Sequence, residues 1–540
     1  MFKYIFKYIF MNKIKFVIYI LISLLLWAIS IYIPILNSNF IDTLTFNHEI
    51  YKIKIIIILI VILSLVNLFL SYFFSVLNYK IITTLMYNIS NSILTHIQSI
   101  PISFSYLFKS GYLSQRILTD SNIISNFTIS SIKDILIKSL TFIFSFIILL
   151  KINIKLGIIL IALIPIYIII YNLFKVPMYK SNKLYKEAEN NYFEEINSQI
   201  ECIKFLKINS LRKKFKNNLF SSFNFLYDSL VKLTKISTLF SNSGTLITIC
   251  ANIMILILGV NEILNNNLTI GQFTIINTYF NTIISSVDYA LSYLKNYQNA
   301  LTSYNRIQEI MNIKVEDIGS KIIDNIQTIK IDNLTFKYNE SYLLLNKFNY
   351  TFEKGYIYRI YGDNGSGKSS FINLILGLYN NLYQGNIYYN NIDLKEINIY
   401  ALRKDLISVV EQDLNIINGT VLDNLILNNE PNIEIINKLI KNLNMSEFIK
   451  KLPDGLNTPI SRKSYNLSGG EKQKLNIIRS FIKKSNLLIL DEANSSLDEN
   501  SNILLKELIM KEKKNRITIL ICHNDTFNDI IDYNIDLNIN

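Results

Sequence analysis

The 540-residue sequence has few charged residues, few glycines and prolines, and only three cysteines. Charged residues make up 18% of the chain and apolar residues 50%, whereas an average soluble protein has about 25% charged residues. This balance argues against a wholly soluble protein and against a disordered one. Sixteen glycines and seven prolines exclude collagen-like and linker-like chains. The sparse cysteines have no C-x-x-C spacing, which argues against a disulfide framework or a zinc site.

The excess of basic residues gives a formal net charge of +13. Such a charge can indicate nucleic-acid binding, but the sequence has no basic array interleaved with aromatic residues. Because long apolar runs are present, lysines and arginines that face anionic lipid at the cytoplasmic surface are the simpler interpretation. We therefore predict membrane lipid, and not nucleic acid, as a partner.

Apolar runs dominate the chain before residue 310, and about 20 such residues are enough to span a bilayer. They predict six transmembrane helices, at residues 17–36, 55–77, 135–150, 156–173, 241–264 and 270–293. The charged intervals 78–134 and 174–240 keep a helical pattern, so we expect helices that continue beyond the bilayer. The basic start resembles a signal peptide, but the long apolar run and the later spans favour an uncleaved first helix with a cytoplasmic N-terminus.

A phosphate-binding motif lies in the second half of the chain. The strand-like YIYRIY at 356–361 runs into GDNGSGKS and then into the helical pattern SFINLILGL. In this strand–loop–helix context, G-x-x-x-x-G-K-S is a P-loop, whose backbone N–H groups and helix N-terminus bind phosphate. Lys368 is expected to reach the β- and γ-phosphates, and Ser369 to contact Mg²⁺. The predicted nucleotide-binding residues here are Gly362, Asp363, Asn364, Gly365, Ser366, Gly367, Lys368, Ser369 and Ser370.

An acidic pair follows a second apolar stretch, NLLILDE at 486–492. Four apolar residues predict a buried parallel strand, and its carboxyl end is where ligands bind in open α/β sheets. Asp491 is predicted to hold Mg²⁺, and Glu492 to act as the general base for the attacking water. Helix capping is the alternative role for the pair, and the P-loop in the same chain favours catalysis.

The sequence LSGGE at 467–471 precedes an amphipathic stretch. Ser468, Gly469 and Gly470 at a helix start would form a second phosphate cradle. One ATP does not need two cradles in one domain, so this one is predicted to face the ATP of another copy.

The order of the P-loop, Gln412, LSGGE, LLILDE, SSLD and His523 resembles the ATPase domain of the ATP-binding cassette (ABC) family. The six predicted spans, with FKSGYLSQRILTDSN at 108–122 and SYNRIQEIM at 303–311, resemble exporters that fuse a membrane domain to this ATPase. The resemblance implies a multidomain membrane protein, with a six-helix transmembrane bundle and long cytoplasmic extensions before an α/β P-loop ATPase domain. The implied domains are a cytoplasmic segment at 1–16, a membrane domain at 17–310, a linker at 311–328 and a nucleotide-binding domain at 329–540.

The resemblance also implies individual roles. Tyr338 would stack on adenine, although an ordinary strand tyrosine is the alternative. Gln412 would contact Mg²⁺ and the attacking water, and His523 would contact the γ-phosphate and orient that water. Ser468, Gly469 and Gly470 would bind the partner's nucleotide, and Asp498 would lie at the dimer seam. The cofactors implied are ATP and Mg²⁺.

One membrane half and one ATPase imply a dimer with a second half-transporter, and a homodimer is preferred because every catalytic element is present in this chain. The implied function is ATP-driven export of a hydrophobic or amphipathic substrate, such as a peptide, lipid or drug, across the cell membrane. An importer, a lipid flippase, or a regulatory or channel-like protein are the alternatives. Coupling helices are expected near 101–110 and 190–199, and the short N-terminal extension predicts no protease domain.

Polar residues at bilayer depth are candidates for the substrate path. These are Asn252, Asn277, Asn281 and Asp288. Asp288 could pair with a cationic substrate, or it could lie near the cytoplasmic end or pair with a lysine. Two departures from the family pattern bear on the coupling between the membrane and ATPase domains. Glu471 stands where glutamine is commoner, and residues 461–466 lack the usual glycine.

Overall fold

The fold was analysed in a computed structural model that describes residues 7–8, 13–47, 49–105, 113–114, 116–339, 342–363, 365–380, 382–412, 415–427, 430, 432–461, 467–522 and 525–538. The chain divides into two compact units. Unit 1 comprises Met1–Ser99 and Leu107–Lys314, and unit 2 comprises Ile100–Tyr106 and Val315–Asn540.

Long helices build unit 1. The helices before residue 315 are α1 (Lys13–Asp42), α2 (Ile50–Ser99), α3 (Ile102–Ser105, in unit 2), α4 (Ser121–Ile152), α5 (Ile154–Glu201), α6 (Ile203–Ile208), α7 (Arg212–Leu264) and α8 (Ile270–Met311). Short π-helical turns occupy Thr43–Asn47 and Arg116–Asp120. The predicted spans lie in α1, α2, α4, α5, α7 and α8, and the 50 residues of α2 and 53 of α7 extend well beyond a bilayer's thickness.

Four helical segments of the described chain are long and apolar enough to cross a membrane: Lys13–Phe46, Ile50–Ser99, Arg116–Ile152 and Arg212–Leu264. The predicted fourth and sixth spans lie in α5 and α8, which are not among these four. Helix α8 carries several amides, hydroxyls and one carboxylate within its predicted span, and these lower its hydropathy. The count of six spans therefore remains a prediction, whereas the predicted order of a long-helix region followed by an α/β domain is confirmed.

The two exporter-like segments of the sequence meet inside unit 1. Arg116 is 5% exposed; it donates from Nη1 to the carbonyl oxygen of Arg306 (2.9 Å) and pairs with Glu309 (2.9 Å). The buried Asp120 accepts a hydrogen bond from Ser303 (2.8 Å). A buried charge is stable only when it is paired or hydrogen-bonded, so these contacts fix the start of α4 against the end of α8.

The prediction of a coupling helix at 190–199 is wrong. These residues continue α5, because the stretch has no glycine or proline and retains i,i+4 contacts such as Gln199 to Glu195 (3.0 Å). The helix ends at Glu201, and the separate short helix α6 follows Cys202. The other predicted coupling segment is 101–110. Its short helix α3 belongs to unit 2, where Ile102 packs against the hydrophobic core, and residues 106–110 lie outside the described residues.

Unit 2 contains two main sheets. Its strands are β1 (Thr328–Asn339), β2 (Tyr342–Glu353), β3 (Ile357–Tyr361), β4 (Tyr383–Tyr389), β5 (Ile392–Asp393), β6 (Ile407–Val410), β7 (Gly419–Thr420), β8 (Pro459–Ile460), β9 (Leu487–Asp491), β10 (Ile517–Ile521) and β11 (Tyr533–Asp536). A parallel sheet has the order β11-β3-β10-β9-β6, and an antiparallel sheet has the order β2-β1-β4-β5. β7 and β8 form a short pair.

Helices of unit 2 cover the parallel sheet. They are α9 (Lys368–Ile375), α10 (Ile399–Ala401), α11 (Val421–Ile426), α12 (Ile433–Asn442), α13 (Ser446–Lys451), α14 (Gly469–Ile482) and α15 (Glu499–Glu512). Alternate residues of β9 enter two different cores, with Leu487 and Ile489 on one face and Leu488 and Leu490 on the other. Burial on both faces explains why this strand reads as a continuous apolar run.

The segment predicted as a linker contacts unit 2. Lys321 forms an ion pair with Glu396 (2.6 Å), and Glu316 pairs with Arg403 (3.2 Å). Both Ile323 and Ile326 pack on the core between the sheets. Residues from Val315 onward are therefore an integral part of unit 2 and do not form a free linker.

Candidate functional site

The P-loop lies at the carboxyl end of β3, which runs between β11 and β10 in the parallel sheet. The strand ends at Tyr361, and α9 begins at Lys368. Gly367, which precedes the helix, has φ +94°, and a Cβ there would lie 2.4 Å from Leu344. Only glycine suits this combination of backbone angle and close contact. The loop can therefore curl tightly enough to direct its N–H groups at a phosphate.

Two side chains of the loop fit an anionic ligand. Lys368 donates from Nζ to the carbonyl oxygens of Gly362 (2.8 Å) and Asp363 (3.0 Å), which places its charge over the loop. The Oγ of Ser366 is buried and has no hydrogen-bond partner among the described residues. A buried hydroxyl without a partner is costly, and a phosphate oxygen would satisfy it. Ser369 is exposed and Ser370 is buried.

The acidic pair ends β9. Glu492 has φ +48°, an uncommon angle for a residue with a side chain, and its N–H donates to the carbonyl oxygen of Ile521 (3.0 Å). Gln412, which follows β6, donates from Nε2 to Oε2 of Glu492 (2.7 Å). Since β6 and β9 are parallel neighbours, their carboxyl ends meet at one edge. The structure thus brings together two of the residues predicted to handle the attacking water.

Gln473 supports this arrangement, and the sequence analysis did not select it. It is 2% exposed and lies on α14. Its amide donates to the carbonyl oxygen of Glu492 (3.1 Å) and accepts from the N–H of Ser496 (2.9 Å). Gln473 therefore holds the backbone on both sides of the turn after β9. In the sequence, only its position just after LSGGE could have indicated this role.

The LSGGE segment starts α14 with a reciprocal cap. Ser468 Oγ accepts from the N–H of Glu471 (3.3 Å), and the Glu471 carboxylate accepts from the N–H of Ser468 (2.7 Å). Glutamate at this position thus acts as a capping-box residue. A Cβ on Gly470 would lie 2.9 Å from the carbonyl oxygen of Ser496. Ser468 and Gly469 are exposed, so the cradle can accept a ligand from outside the chain.

Asp498 precedes α15 and is held by two contacts. Ser501 donates to it (2.5 Å), and Lys474 pairs with it (3.1 Å). The Ser501 hydrogen bond, and secondarily the Lys474 charge, lower the pKa of Asp498 to about 2. The carboxylate is therefore ionised at neutral pH. The sequence analysis did not select Lys474, whose spacing from the signature carries no recognisable motif.

Three predicted residues have no described side chain. Asn364 and His523 lie outside the described residues, and Tyr338 lies on β1 without a described side chain. Cys522, directly before His523, is 3% exposed and immediately follows β10. A buried cysteine in this position acts as a small apolar residue of the core.

Arg359, like Gln473 and Lys474, is a contact residue that no sequence motif indicated. It lies on β3 opposite Leu520 of β10. Its guanidinium donates to the carbonyl oxygen of Cys522 (3.3 Å) and to Oδ1 of Asn528 (2.7 Å). These two bonds fasten Cys522 and Asn528, which precede and follow His523 in the sequence, to the strand that leads into the P-loop.

The residues predicted to hold Mg²⁺ are Ser369, Gln412 and Asp491. Their hydroxyl, amide and carboxylate oxygens are the hard ligands that this ion prefers. Among the described residues, no three His, Cys, Asp or Glu side chains form a metal-binding group. One carboxylate with neutral oxygens fits an ion that takes its other ligands from phosphate and water.

The predicted substrate residues are dispersed. Asn281 donates to Oδ1 of Asn277 (3.2 Å), so these two amides of α8 partly satisfy each other. Asn252 on α7 has a buried Oδ1 with no partner among the described residues. Asp288 is exposed and lies near Gly244, where a Cβ would be 3.6 Å from its Oδ1.

Two family models match the chain. Residues 16–287, just over half of its length, match the ABC transporter transmembrane region, and residues 345–495 match the ABC transporter model. An uncharacterized ABC transporter ATP-binding protein of Bacillus subtilis is 24% identical over 447 residues, which cover 81% of this chain and 76% of that protein. The ATP-dependent lipid A-core flippase of Pasteurella multocida is 27% identical over 443 residues, covering 80% of this chain and 75% of the flippase.

A solved structure shares the fold. A bacterial Atm1-family ABC exporter with ATP bound superposes with a TM-score of 0.88 at 18% identity, over 97% of this chain and 94% of the exporter.

Proposed function

The chain belongs to the ABC transporter family, with a transmembrane region fused to its own ATPase domain, and we propose that it exports amphipathic molecules as a homodimer. One observation carries the proposal. Nε2 of Gln412 and Oε2 of Glu492 are 2.7 Å apart just beyond the carboxyl ends of β6 and β9, in the same parallel sheet whose strand β3 leads into the P-loop. A regulatory or channel-like protein would be expected to lack such a hydrolytic carboxylate.

Each nucleotide would be bound and cleaved by residues from both chains. The P-loop N–H groups and Lys368 would hold the phosphates, and Tyr338 would stack on the adenine. Mg²⁺ would be held by Ser369, Gln412 and Asp491, and when bound it neutralises charge on the phosphates. Glu492 would accept a proton from the attacking water, which Gln412 orients.

The partner chain would complete the site through its LSGGE segment. Ser468 and Gly469 are exposed at the N-terminus of α14, a helix of 14 residues whose dipole favours an anion. This supports a γ-phosphate bound by a second copy as the ligand. Asp498 would lie at the seam, and His523 would contact the γ-phosphate from the chain that binds the nucleotide.

Transport would follow from the difference in ATP affinity between two conformations. ATP closes the two ATPase domains and opens the membrane halves outward, and hydrolysis resets them. We place the ATPase domain and the basic N-terminus in the cytoplasm and the spans in the cell membrane. The similarity to a lipid A-core flippase favours a lipid among the amphipathic candidates.

Hydrolysis by protein reconstituted in lipid vesicles tests the proposal. Glu492→Gln removes the general base, and we expect ATPase activity to fall by about 10²- to 10⁴-fold. The exposed Glu434, on α12, gives a matched control, because Glu434→Gln removes the same charge away from the site. Glu492→Gln protein that hydrolyses ATP at the rate of the control would contradict the proposed role.

A further inference from the structure

A groove in unit 1 lies between three helices that carry predicted spans. It has a volume of about 720 Å³ and is bounded by α4, α5 and α8. Ligand-binding pockets for small molecules usually have volumes of about 300–1,000 Å³. Five aromatic side chains line it: Phe142, Tyr167, Tyr171, Tyr289 and Tyr293. Its described lining residues lie within predicted spans 3, 4 and 6, toward the ends that the predicted topology places at the cytoplasmic side.

Among the described residues, Lys138 is the one basic side chain that lines this groove. Its Nζ donates to Oγ of Ser285 (3.3 Å), and no described carboxylate lies within ion-pair distance of it. A lysine near the end of a transmembrane helix can extend its ammonium group toward the interface, where anionic headgroups lie. Because a neutral hydroxyl does not compensate the charge of the ammonium group, Lys138 can form an ion pair with an anionic ligand.

The neighbouring Lys133 differs in this respect. It lies on the same helix and pairs with Asp134 (2.7 Å), and its ammonium also lies 5.3 Å from the centre of the Phe74 ring. Its charge is already compensated within the chain. Lys133 and Lys138 therefore form a natural pair for comparison, with the same charge on the same helix but different partners.

Asp288 is the carboxylate nearest in sequence to the groove residues of α8. It does not line the groove. Its Oδ1 instead lies close to Gly244 on α7, and it is exposed. Among the described lining residues the charged side chain is therefore Lys138, whereas Asp288 lies beside the lining residue Tyr167 on the α7 side.

We propose that the groove binds a lipid-like amphiphile with an anionic headgroup, which pairs with Lys138 while its apolar part lies against the aromatic walls. This inference rests on the proposed export function and specifies its substrate class. Aromatic faces supply large apolar contact area, and the ion pair with Lys138 would distinguish anionic from zwitterionic headgroups.

Fluorescence of the single tryptophan tests the inference without ATP. Trp27 donates from Nε1 to Oγ1 of Thr141 (3.1 Å), three residues beyond Lys138 on α4. The full chain in phosphatidylcholine nanodiscs would receive spin-labelled phosphatidylglycerol or spin-labelled phosphatidylcholine, which differ only in the headgroup. We expect phosphatidylglycerol to quench at a concentration lower by about fivefold, the effect of one lysine on an anionic lipid.

Variants of two lysines test whether Lys138 is responsible for the preference for phosphatidylglycerol. Lys138→Ala should equalise the two lipids, Lys138→Arg should retain the preference, and Lys133→Ala should retain it too. Excess inorganic phosphate should not displace the lipid, because it lacks the apolar part. Equal quenching by both lipids in the unmodified protein, a preference kept in Lys138→Ala, or displacement by phosphate would each overturn the inference.

The binding test is independent of hydrolysis. Glu492→Gln protein should keep the phosphatidylglycerol preference, because no ATP is needed to fill the groove. A loss of preference with normal ATPase activity would contradict the substrate class alone. Absence of ATP hydrolysis in the unmodified protein, with the preference intact, would contradict the transport function alone.

Discussion

The ATPase unit and the membrane unit place their polar side chains in different ways. In the ATPase unit, polar groups lie where parallel strands end, and neighbours such as Gln412 and Glu492 converge from separate strands. In the membrane unit they lie on long helices, where many hydroxyls are satisfied within their own helix, as Thr128 is by the carbonyl of Ile124 (2.8 Å). A site in the ATPase unit can therefore be identified from the local sequence, whereas a site in the membrane unit depends on which way each helix face is oriented.

Arg359 sharpens this comparison, because it is a contact of the ATPase unit that belongs to no recognised motif. Arg359→Ala should lower kcat by roughly 10- to 100-fold, since small displacements of catalytic groups have effects of this size. The KM for ATP should change little, because the P-loop keeps its own contacts. Arg359→Lys should restore part of the rate, as one donor remains. Steady-state hydrolysis across ATP concentrations gives both parameters.

The double variant of Arg359→Ala and His523→Ala tests whether Arg359 acts by positioning His523 or through a general effect on the structure. If Arg359 acts through His523, Arg359→Ala should cause little further loss in a His523→Ala protein. An equal fall in kcat in both backgrounds would show that Arg359 acts elsewhere.

Asp42 tests the membrane unit, where we expect polar groups to act mainly on stability. Its carboxylate accepts hydrogen bonds from Oγ1 of Thr269 (2.9 Å) and from the N–H of Gly271 (2.9 Å), which joins the end of α1 to the start of α8. Asp42→Ala should destabilise the protein by about 1 kcal/mol, the usual cost of losing a helix cap. Thermal unfolding in detergent measures this loss.

The neighbouring Asn39, which is exposed, provides the control for Asp42. Asn39→Ala should leave the unfolding temperature unchanged. If Asp42→Ala instead left stability intact and abolished ATP hydrolysis, the proposed division of roles between the two units would be wrong.

The sequence allowed the ATPase fold and its main loops to be predicted because each motif combines a residue pattern with a strand or helix boundary. Gln473, Lys474 and Arg359 were missed because their partners belong to other elements of the chain and become neighbours only in the folded domain. Lys138 was missed because hydropathy does not indicate which helix face borders a groove. The misplaced coupling helix shows the same limit, since no glycine or proline marks the end of α5.

The association of two chains around ATP is the central claim, and a distance between two identical labels tests it most directly. Cys202 and Cys250 are exposed, so both would be replaced by serine, and a spin label would be attached at Glu507→Cys, an exposed position on α15. In Glu492→Gln protein with ATP and Mg²⁺, we predict a single short distance between the two ATPase domains. Without nucleotide, the distances should be longer and broader. An unchanged distance distribution on adding ATP would contradict the account.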